Sequence, residues 1–503
     1  MKTCFHCLLI LSSALLAYAD KDFPNILFIA VDDLKPALGS YGTNIQTPHI
    51  DRLSEQGTTF LNAHSQQAIC GPSRVSVMTG KYPDATRIWE HGSKLRDRNP
   101  EIVTLPQYFK ENGYMAVGMG KIFDNRNVDG GRDTPSWSLP YIKDLSYAPG
   151  YNRPICYYQA PEIWEATEEL RAQGKTRWRD YRLHLIELGM WPATEALDIP
   201  DSAYKDGAVA DRAIQSIDEL SQNDQPFFLA VGFAKPHLPF AAPQRYWDMI
   251  QPEQIQLAEF REQAQGAPDI AYHESGELRS YSDIPEQGPI PDDLQRHLIH
   301  GYLACVAYVD AQIGRVLNAL EASDAAENTI IVFWGDHGYH LGDHGLWNKH
   351  SNYEQATRVP LIIDAPSDVD GQHIHQPVAL LDIFPTLVEL ANLPTKGDLD
   401  GISLADSLRE GSAPPRDYAM SQFPRDQNNA MGYALRGERF RYVAWFDVET
   451  SNAVGATSQN QIIATEFYDY ETDPLETQNL ANSAEHQESI AEMHHELINR
   501  LQE

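Results

Sequence analysis

Cysteine is scarce in this chain, with five in 503 residues. Cys4 and Cys7 lie close to the N-terminus, which leaves Cys70, Cys156 and Cys305. Three thiols cannot knit a disulfide scaffold, and an odd number leaves one for another task. Cys156 and Cys305 read either as a pair or as two free buried thiols. Positive charge is also scarce. Lys and Arg number 39 against 71 Asp and Glu, a formal net charge of −32. That balance excludes nucleic acid and an anionic membrane surface as main partners. It would also repel an anionic substrate at long range, although salt screens the field beyond about 8–10 Å. An apolar run of the roughly 20 residues that a membrane anchor needs is missing too. The apolar stretch from Cys7 to Leu16 is shorter. Lys2 precedes it and Ala17-Tyr18-Ala19 follows, which is the layout of a signal peptide. Residues 1–19 are therefore read as a signal peptide, and the remainder as secreted or periplasmic. No internal repeat is found.

What is present suits a large globular protein. Hydrophobic residues make up 42% and aromatic ones 10%. A chain this long exceeds what one core usually holds, so two domains are expected, 20–410 and 411–503. Asn25 to Val31 is an unbroken apolar run, as in a strand buried on both faces of a parallel sheet. Further strands are predicted at Met115–Gly120, Phe227–Phe233, Thr329–Trp334 and Val359–Ile363. Helices are predicted at Pro48–Gln56 (capped by Thr47), Thr104–Asn112, Ala203–Leu220, Leu294–Ala322 and Ile383–Leu393. This alternation predicts an α/β sandwich. Beyond Glu410 come short strand-like runs, Gly432–Leu435, Phe440–Trp445 and Glu466–Tyr470, and a polar closing helix. Residues 134–200 and 250–290 are rich in loops.

The stretch Cys70-Gly71-Pro72-Ser73-Arg74, running on to Met78-Thr79-Gly80, is the chemical focus. Pro72 suits a first helical position and Gly80 a stop, which places Cys70 just before a helix N-terminus. Free N–H groups and the helix dipole favour an anion there and would lower the thiol pKa. Arg74 adds a positive charge. Taken alone, the stretch is read equally well as a reactive cysteine in an anion cradle or as a buried cysteine before an ordinary helix.

Two acid pairs end strands. Asp32-Asp33 follows the first predicted strand, and Asp336-His337 follows Thr329–Trp334. In open α/β sheets sites form beyond the carboxyl ends of strands, and hard cations want several oxygen ligands. One such pair alone reads more readily as a solvated turn. Two pairs at equivalent strand ends read as a metal site.

Cys-x-Pro-Ser-Arg followed by Thr-Gly resembles the signature of the type I, formylglycine-dependent sulfatases. Gly118-Met119-Gly120-Lys121, Lys235-Pro236-His237-Leu238-Pro239-Phe240, Gly335-Asp336-His337-Gly338 and Asn348-Lys349-His350-Ser351-Asn352 resemble the iduronate-2-sulfatase-like branch. The resemblance spans nearly the whole chain after the signal segment. It implies an alkaline-phosphatase-like sandwich with a mixed, mostly parallel central sheet. A small C-terminal antiparallel sheet with a terminal helix would follow. It also implies that Cys70 is oxidised to formylglycine by a formylglycine-generating or an anaerobic sulfatase-maturating enzyme. Asp32, Asp33, Asp336 and His337 would ligate calcium beside it. Arg74, Lys121 and Lys349 would bind and neutralise the sulfate, and His237 would protonate the leaving oxygen. His340, His344 and His350 are read as local hydrogen-bonders. One departure stands out: Asp124 occupies the place of an expected His, to be paired by Arg126 or Arg132 at the edge of the substrate site.

The resulting expectation is a sulfuric ester hydrolase acting on an acidic sulfated polysaccharide, a glycosaminoglycan or an algal glycan such as ulvan. Two alternatives are a phosphomonoester or phosphonate hydrolase of the same superfamily, and a non-catalytic sulfated-glycan binder with Cys70 unmodified. Arg171, Lys175, Arg177, Arg179 and Arg182, interleaved with Trp178 and Tyr181, are expected to help hold the glycan. Helical spacing would set Arg171, Lys175, Trp178 and Arg182 on one side. The alternative for this run is a solvated face neutralising nearby acids.

Overall fold

The computed structural model describes residues 23–366, 368–426, 429–448 and 461–502. The signal peptide expected at 1–19 lies outside the described residues.

Among the described residues, seven strands form the larger sheet. They are β1 (Asn25–Asp32), β2 (Thr58–Phe60), β3 (Met115–Gly120), β4 (Phe227–Pro236), β5 (Thr329–Gly335), β6 (Leu361–Asp364) and β7 (His373–Ile374). Their order is β7-β2-β6-β5-β1-β4-β3. β1 lies between β4 and β5, parallel to both, and β3 joins β4 in parallel. β6 runs antiparallel to β5 and to β2. The sheet is therefore mixed and mostly parallel.

The helices that matter here are α1 (Pro48–Gln56), α2 (Cys70–Thr79), α3 (Leu105–Glu111), α4 (Trp178–Glu187), α5 (Lys205–Ser221), α6 (Asp292–Glu321), α7 (Ile383–Leu390) and α8 (Gln487–Arg500). Period-two alternation along β1 divides its side chains between two cores. Leu27, Ile29 and Val31 face a core shared with α1, α5 and α6. Ile26, Phe28 and Ala30 face one shared with α2, α3 and α7. Both faces are apolar, which is why β1 reads as a continuous hydrophobic run.

A second, antiparallel sheet contains β8 (Ala419–Arg425), β9 (Ala430–Arg436), β10 (Phe440–Asp447) and β11 (Gln461–Asp469), in that order. Met493 and Leu497 of α8 pack on one face with Met431, Tyr433 and Leu435. Val443, Trp445 and Tyr468 on the other face pack against Leu346 and Tyr353. The segment bearing Lys349 lies between those two residues. Asn352 Nδ2 donates to Gly432 O at 3.1 Å, and Arg425 Nη2 donates to His350 O at 2.7 Å. The second sheet thus braces that segment.

Several expectations are corrected. Cys70 is itself the first residue of α2, and Pro72 is the third. Val359–Ile363 is not one strand. Arg358–Val359 pairs with Ala63–His64 in a small separate sheet, while Leu361–Asp364 joins the large one. Pro360, which has no N–H to give a ladder, stands at the break. The strand β8 was not foreseen. Arg171 and Arg182 do not share a helix, because Glu168–Ala172 and α4 are separate. Cys156 and Cys305, for which two readings stood open, are both free and buried, as the second had it.

Candidate active site

The carboxyl ends of β1 and β5, the N-terminus of α2 and the turn after β3 meet at one point. Asp32 ends β1, and Asp33 takes a left-handed backbone conformation, φ 60°. In a continuing strand the two side chains would point to opposite faces. The turn at Asp33 lets both reach the same cluster. Asp33 N and His337 N each donate to Asp336 Oδ1 at 3.0 Å, which ties the two strand ends together. Ligand atoms of Asp32, Cys70, Asp336 and His337 all lie within 4.8 Å of one another.

Three carboxylates and an imidazole in this space could hold a divalent cation. His337 Nδ1 lies 2.9 Å from Gly338 O and, against a carbonyl, must donate. Its Nε2 then carries the lone pair, and it faces Cys70 Sγ at 3.3 Å and Asp33 Oδ1 at 3.4 Å. The donor set fits a hard cation, with one nitrogen among oxygens.

Arg74 lies beneath this cluster, fully buried. Its Nε donates to Asp336 Oδ2 at 2.8 Å and its Nη2 to Asp32 Oδ1 at 3.1 Å. Its Nη1 donates to the carbonyls of Lys121 and Ile122. The guanidinium is occupied on all sides, so the structure places Arg74 under the carboxylates, away from the cavity in which a sulfate was expected to meet it.

Lys121 and Lys349 approach from the cavity side. The backbone turns to Lys121 at Gly120, φ 75°, where a Cβ would lie within 1.9 Å of Gly232 O. Only glycine permits that approach. Lys121 Nζ donates to Asp32. Lys349 Nζ lies 2.9 Å from Asp33 Oδ2 and 2.9 Å from Glu277 Oε2. Burial works against the Lys349 ammonium, but Asp33 and Glu277 outweigh it and raise its pKa well above the usual range. Burial likewise opposes a charge on Asp32, but Lys121 and Arg74 hold its carboxyl well below the carboxylate range.

The thiol expectation is reversed. Burial pushes the Cys70 pKa well up, and Asp32 adds to it against Lys121 and Lys349. Desolvation and the neighbouring acid outweigh the helix N-terminus.

His237 stands on a loop held by Lys235, whose Nζ donates to His237 O at 2.9 Å and to Pro239 O at 2.5 Å. His237 Nδ1 lies 2.6 Å from Leu238 O, and Nε2 lies 3.3 Å from Glu277 Oε1. Nδ1 thus faces a carbonyl of its own loop, and Nε2 is turned toward Glu277. Asp124 is paired by Arg126, as one of the two expected options had it. Arg126 Nε and Nη2 each donate to a different oxygen of Asp124 at 2.8 Å. Among the three histidines read as local, His340 bonds Ser351 Oγ at 2.9 Å and His344 stacks on Tyr353. His350 lines the cavity instead.

The cavity above Cys70 has a volume of about 600 Å³. Lys121, Asp124, Arg126, His237 and Lys349 all line it. Of the basic run at 171–182, only Trp178 and Arg182 do. Arg171 turns back to stack on Trp164, 4.8 Å from its ring centroid. Sequence reasoning missed Glu277 and His91, both of which line the cavity. Glu277 lies in a loop-rich stretch with no periodic pattern, so no sequence signal marks it. His91 Nδ1 lies 3.9 Å from Asp124 Oδ1, so an imidazole does stand on this wall, supplied from another segment.

The Sulfatase family model matches residues 24–393. The model for the C-terminal part of N-sulphoglucosamine sulphohydrolase matches residues 342–503. Iduronate 2-sulfatase of Mus musculus is 33% identical, over 95% of this chain and 94% of its own length. A sulfatase of Formosa agariphila is also 33% identical, over 92% and 84%. Among solved structures, one in complex with its substrate D-glucosamine-2-N,6-O-disulfate aligns with a TM-score of 0.68 at 21% identity, covering 95% of this chain and 97% of that one. The phosphonate monoester hydrolase of Agrobacterium radiobacter aligns at 0.67 and 24%, over 95% of both chains, which speaks for a shared fold. With the family model covering most of the chain and curated relatives aligned nearly end to end, this protein belongs to the sulfatase family and is a sulfuric ester hydrolase.

Proposed function

We propose that the chain removes sulfate from an acidic sulfated polysaccharide, using a formylglycine matured from Cys70 and a bound calcium ion, in a secreted or periplasmic setting. The observation that carries the reading is the meeting of Asp32, Cys70, Asp336 and His337 within 4.8 Å, below a cavity rimmed by Lys121 and Lys349. Asp32, Asp33, Asp336 and His337 would hold the ion. When present, the ion and the formylglycine would supply charge neutralisation and a nucleophilic oxygen.

The chain's own side chains would do the rest. A sulfate monoester is anionic and repels nucleophiles, so it must be neutralised and aligned. Lys121 and Lys349, on the cavity side of the carboxylates, would bind its oxygens and fix the line of attack. His237 would give its proton to the leaving alcohol. Arg74 acts as a positioning residue that holds Asp32 and Asp336. The Asp124–Arg126 pair keeps a bare carboxylate from facing the sulfate. Residues 20–410 would form the catalytic domain and 411–503 a C-terminal α+β subdomain. Among the described residues no helix is long and apolar enough to cross a membrane.

The shared metal site is tested by substitution. Asp32→Ala and Asp336→Ala should each lose bound metal and turnover together, read by elemental analysis and sulfate release. Full metal content in either variant would contradict the site.

A further inference from the structure

Three cations that line the cavity remain unspent. Arg132, Lys205 and Arg182 all line it. Among the described residues none of them lies within ion-pair distance of a carboxylate. The other three Lys and Arg residues that line the cavity are all committed: Lys121 to Asp32, Lys349 to Asp33 and Glu277, and Arg126 to Asp124. In a chain with 71 acids and 39 bases, acids are not short, so three unpaired cations lining one cavity call for a ligand.

Their surroundings point the same way. Burial pushes the Lys205 ammonium down to about 8; Asp206 opposes this, while Arg132, Lys121 and Arg153 add to it. A bound anion would relieve that crowding. Each of two cations rests near an aromatic ring. Lys205 Nζ is 5.9 Å from the Tyr157 ring centroid, and the Arg182 guanidinium is 5.7 Å from that of Trp178. Trp178 packs edge-on against Trp191, which in turn stacks on Tyr281 at 5.7 Å. Flat aromatic surface beside a guanidinium and an ammonium group suits a sugar ring bearing a planar or tetrahedral anion.

We propose that Arg132, Lys205 and Arg182 form a second anion subsite, so that the substrate is a glycan with a carboxylate or a second sulfate on or next to the sulfated sugar. This rests on the polysaccharide sulfatase reading above and names what those three cations would select. The ester to be cleaved sits over Cys70, while the second anion sits against Arg132, Lys205 and Arg182 and takes no part in the chemistry.

The test is steady-state kinetics of the matured full chain and of Lys205→Met, Arg182→Gln and Arg132→Gln. Four substrates are compared. They are a sulfated uronate disaccharide, its methyl ester, that methyl ester with a second sulfate, and a small aryl sulfate. The variants should raise KM for the uronate disaccharide by about tenfold or more, with kcat held and aryl sulfate kinetics unchanged. On the unsubstituted protein, a comparable loss for the methyl ester assigns the subsite to a carboxylate. Recovery of that loss by the second sulfate assigns it to either anion. Equal changes on all substrates, or an unchanged KM for the anionic disaccharides, would overturn the subsite. Calorimetric binding of the uronate disaccharide to Cys70→Ala, with and without Lys205→Met, reads the subsite without turnover. Equal affinities there overturn it, whereas a missing aryl sulfate activity in the unsubstituted protein would instead count against the sulfatase chemistry. Unchanged melting temperatures exclude misfolding as the cause of a loss.

Discussion

Glu277 holds the cations that a sulfate needs. Its two oxygens reach His237 Nε2 at 3.3 Å and Lys349 Nζ at 2.9 Å. Burial would push its carboxyl up, but Lys349 and His237 outweigh that and hold it well below the carboxylate range. Those partners favour its charged form, which is placed where the substrate's anion is expected. Substrate and Glu277 must share or exchange Lys349. Glu277→Gln removes the competing charge and should tighten inhibition by inorganic sulfate about tenfold, worth roughly 1.4 kcal/mol. It should also lower kcat, because His237 loses its carboxylate partner. An unchanged inhibition constant for sulfate would show that Glu277 does not compete. Cys70, the acid pairs, Lys121, His237 and Lys349 could all be read in the sequence, because each ends a strand or sits in a marked motif. Glu277 and His91 could not. They reach the cavity only through tertiary folding of segments without helix or strand periodicity.

At the scale of elements, α1 shows how a cap can come from elsewhere. Thr47-Pro48 reads as a local helix start. In the structure Thr47 Oγ1 donates to Asp51 Oδ1 at 3.0 Å and accepts from Gly39 N at 2.9 Å. The N–H groups of His49 and Ile50 donate instead to Asp310 Oδ1, at 3.2 and 2.9 Å. Asp310 belongs to α6, so one carboxylate joins two helices of the same layer. Burial pushes its pKa up to about 7, against the pull of those two N–H groups. A carboxyl whose folded pKa exceeds its unfolded one contributes stability at low pH that is lost as pH rises from about 4 to about 7. Asp310→Asn cannot ionise and lacks this dependence. The variant keeps an amide oxygen that can accept both N–H groups, so it should match the parent near pH 4. By pH 8 it should be the more stable of the two, because only the parent loses stability as the pH rises. Melting curves across that range decide it, and a difference that stays constant contradicts the assignment. Strand and helix order was legible because β1 and the long helices carry strong hydrophobic patterns. The break at Pro360 and the split of the 168–187 region were less so. Both depend on which neighbour the chain finds, which short segments do not encode alone.

The whole molecule carries a net charge of −32 and yet concentrates cations around one cavity. The acidic exterior repels a polyanion at distance, and the cavity binds it only at close range, where screening is weak. The antiparallel sheet contributes as scaffold, with Arg425 and Gly432 bracing the backbone around Lys349. The α/β class follows from patterns along the sequence and the small antiparallel sheet from the family resemblance, whereas the cation-lined cavity follows from loops that converge only in three dimensions. The central claim is that sulfate ester hydrolysis occurs over position 70. The most direct measurement is sulfate release from a sulfated uronate disaccharide by the matured chain and by Cys70→Ala, with the matched phosphate ester alongside. The account predicts rapid sulfate release by the parent, much slower phosphate release, and none above background from Cys70→Ala at an unchanged melting temperature. Persistent sulfate release by Cys70→Ala, or faster release of phosphate than of sulfate by the parent, would contradict it.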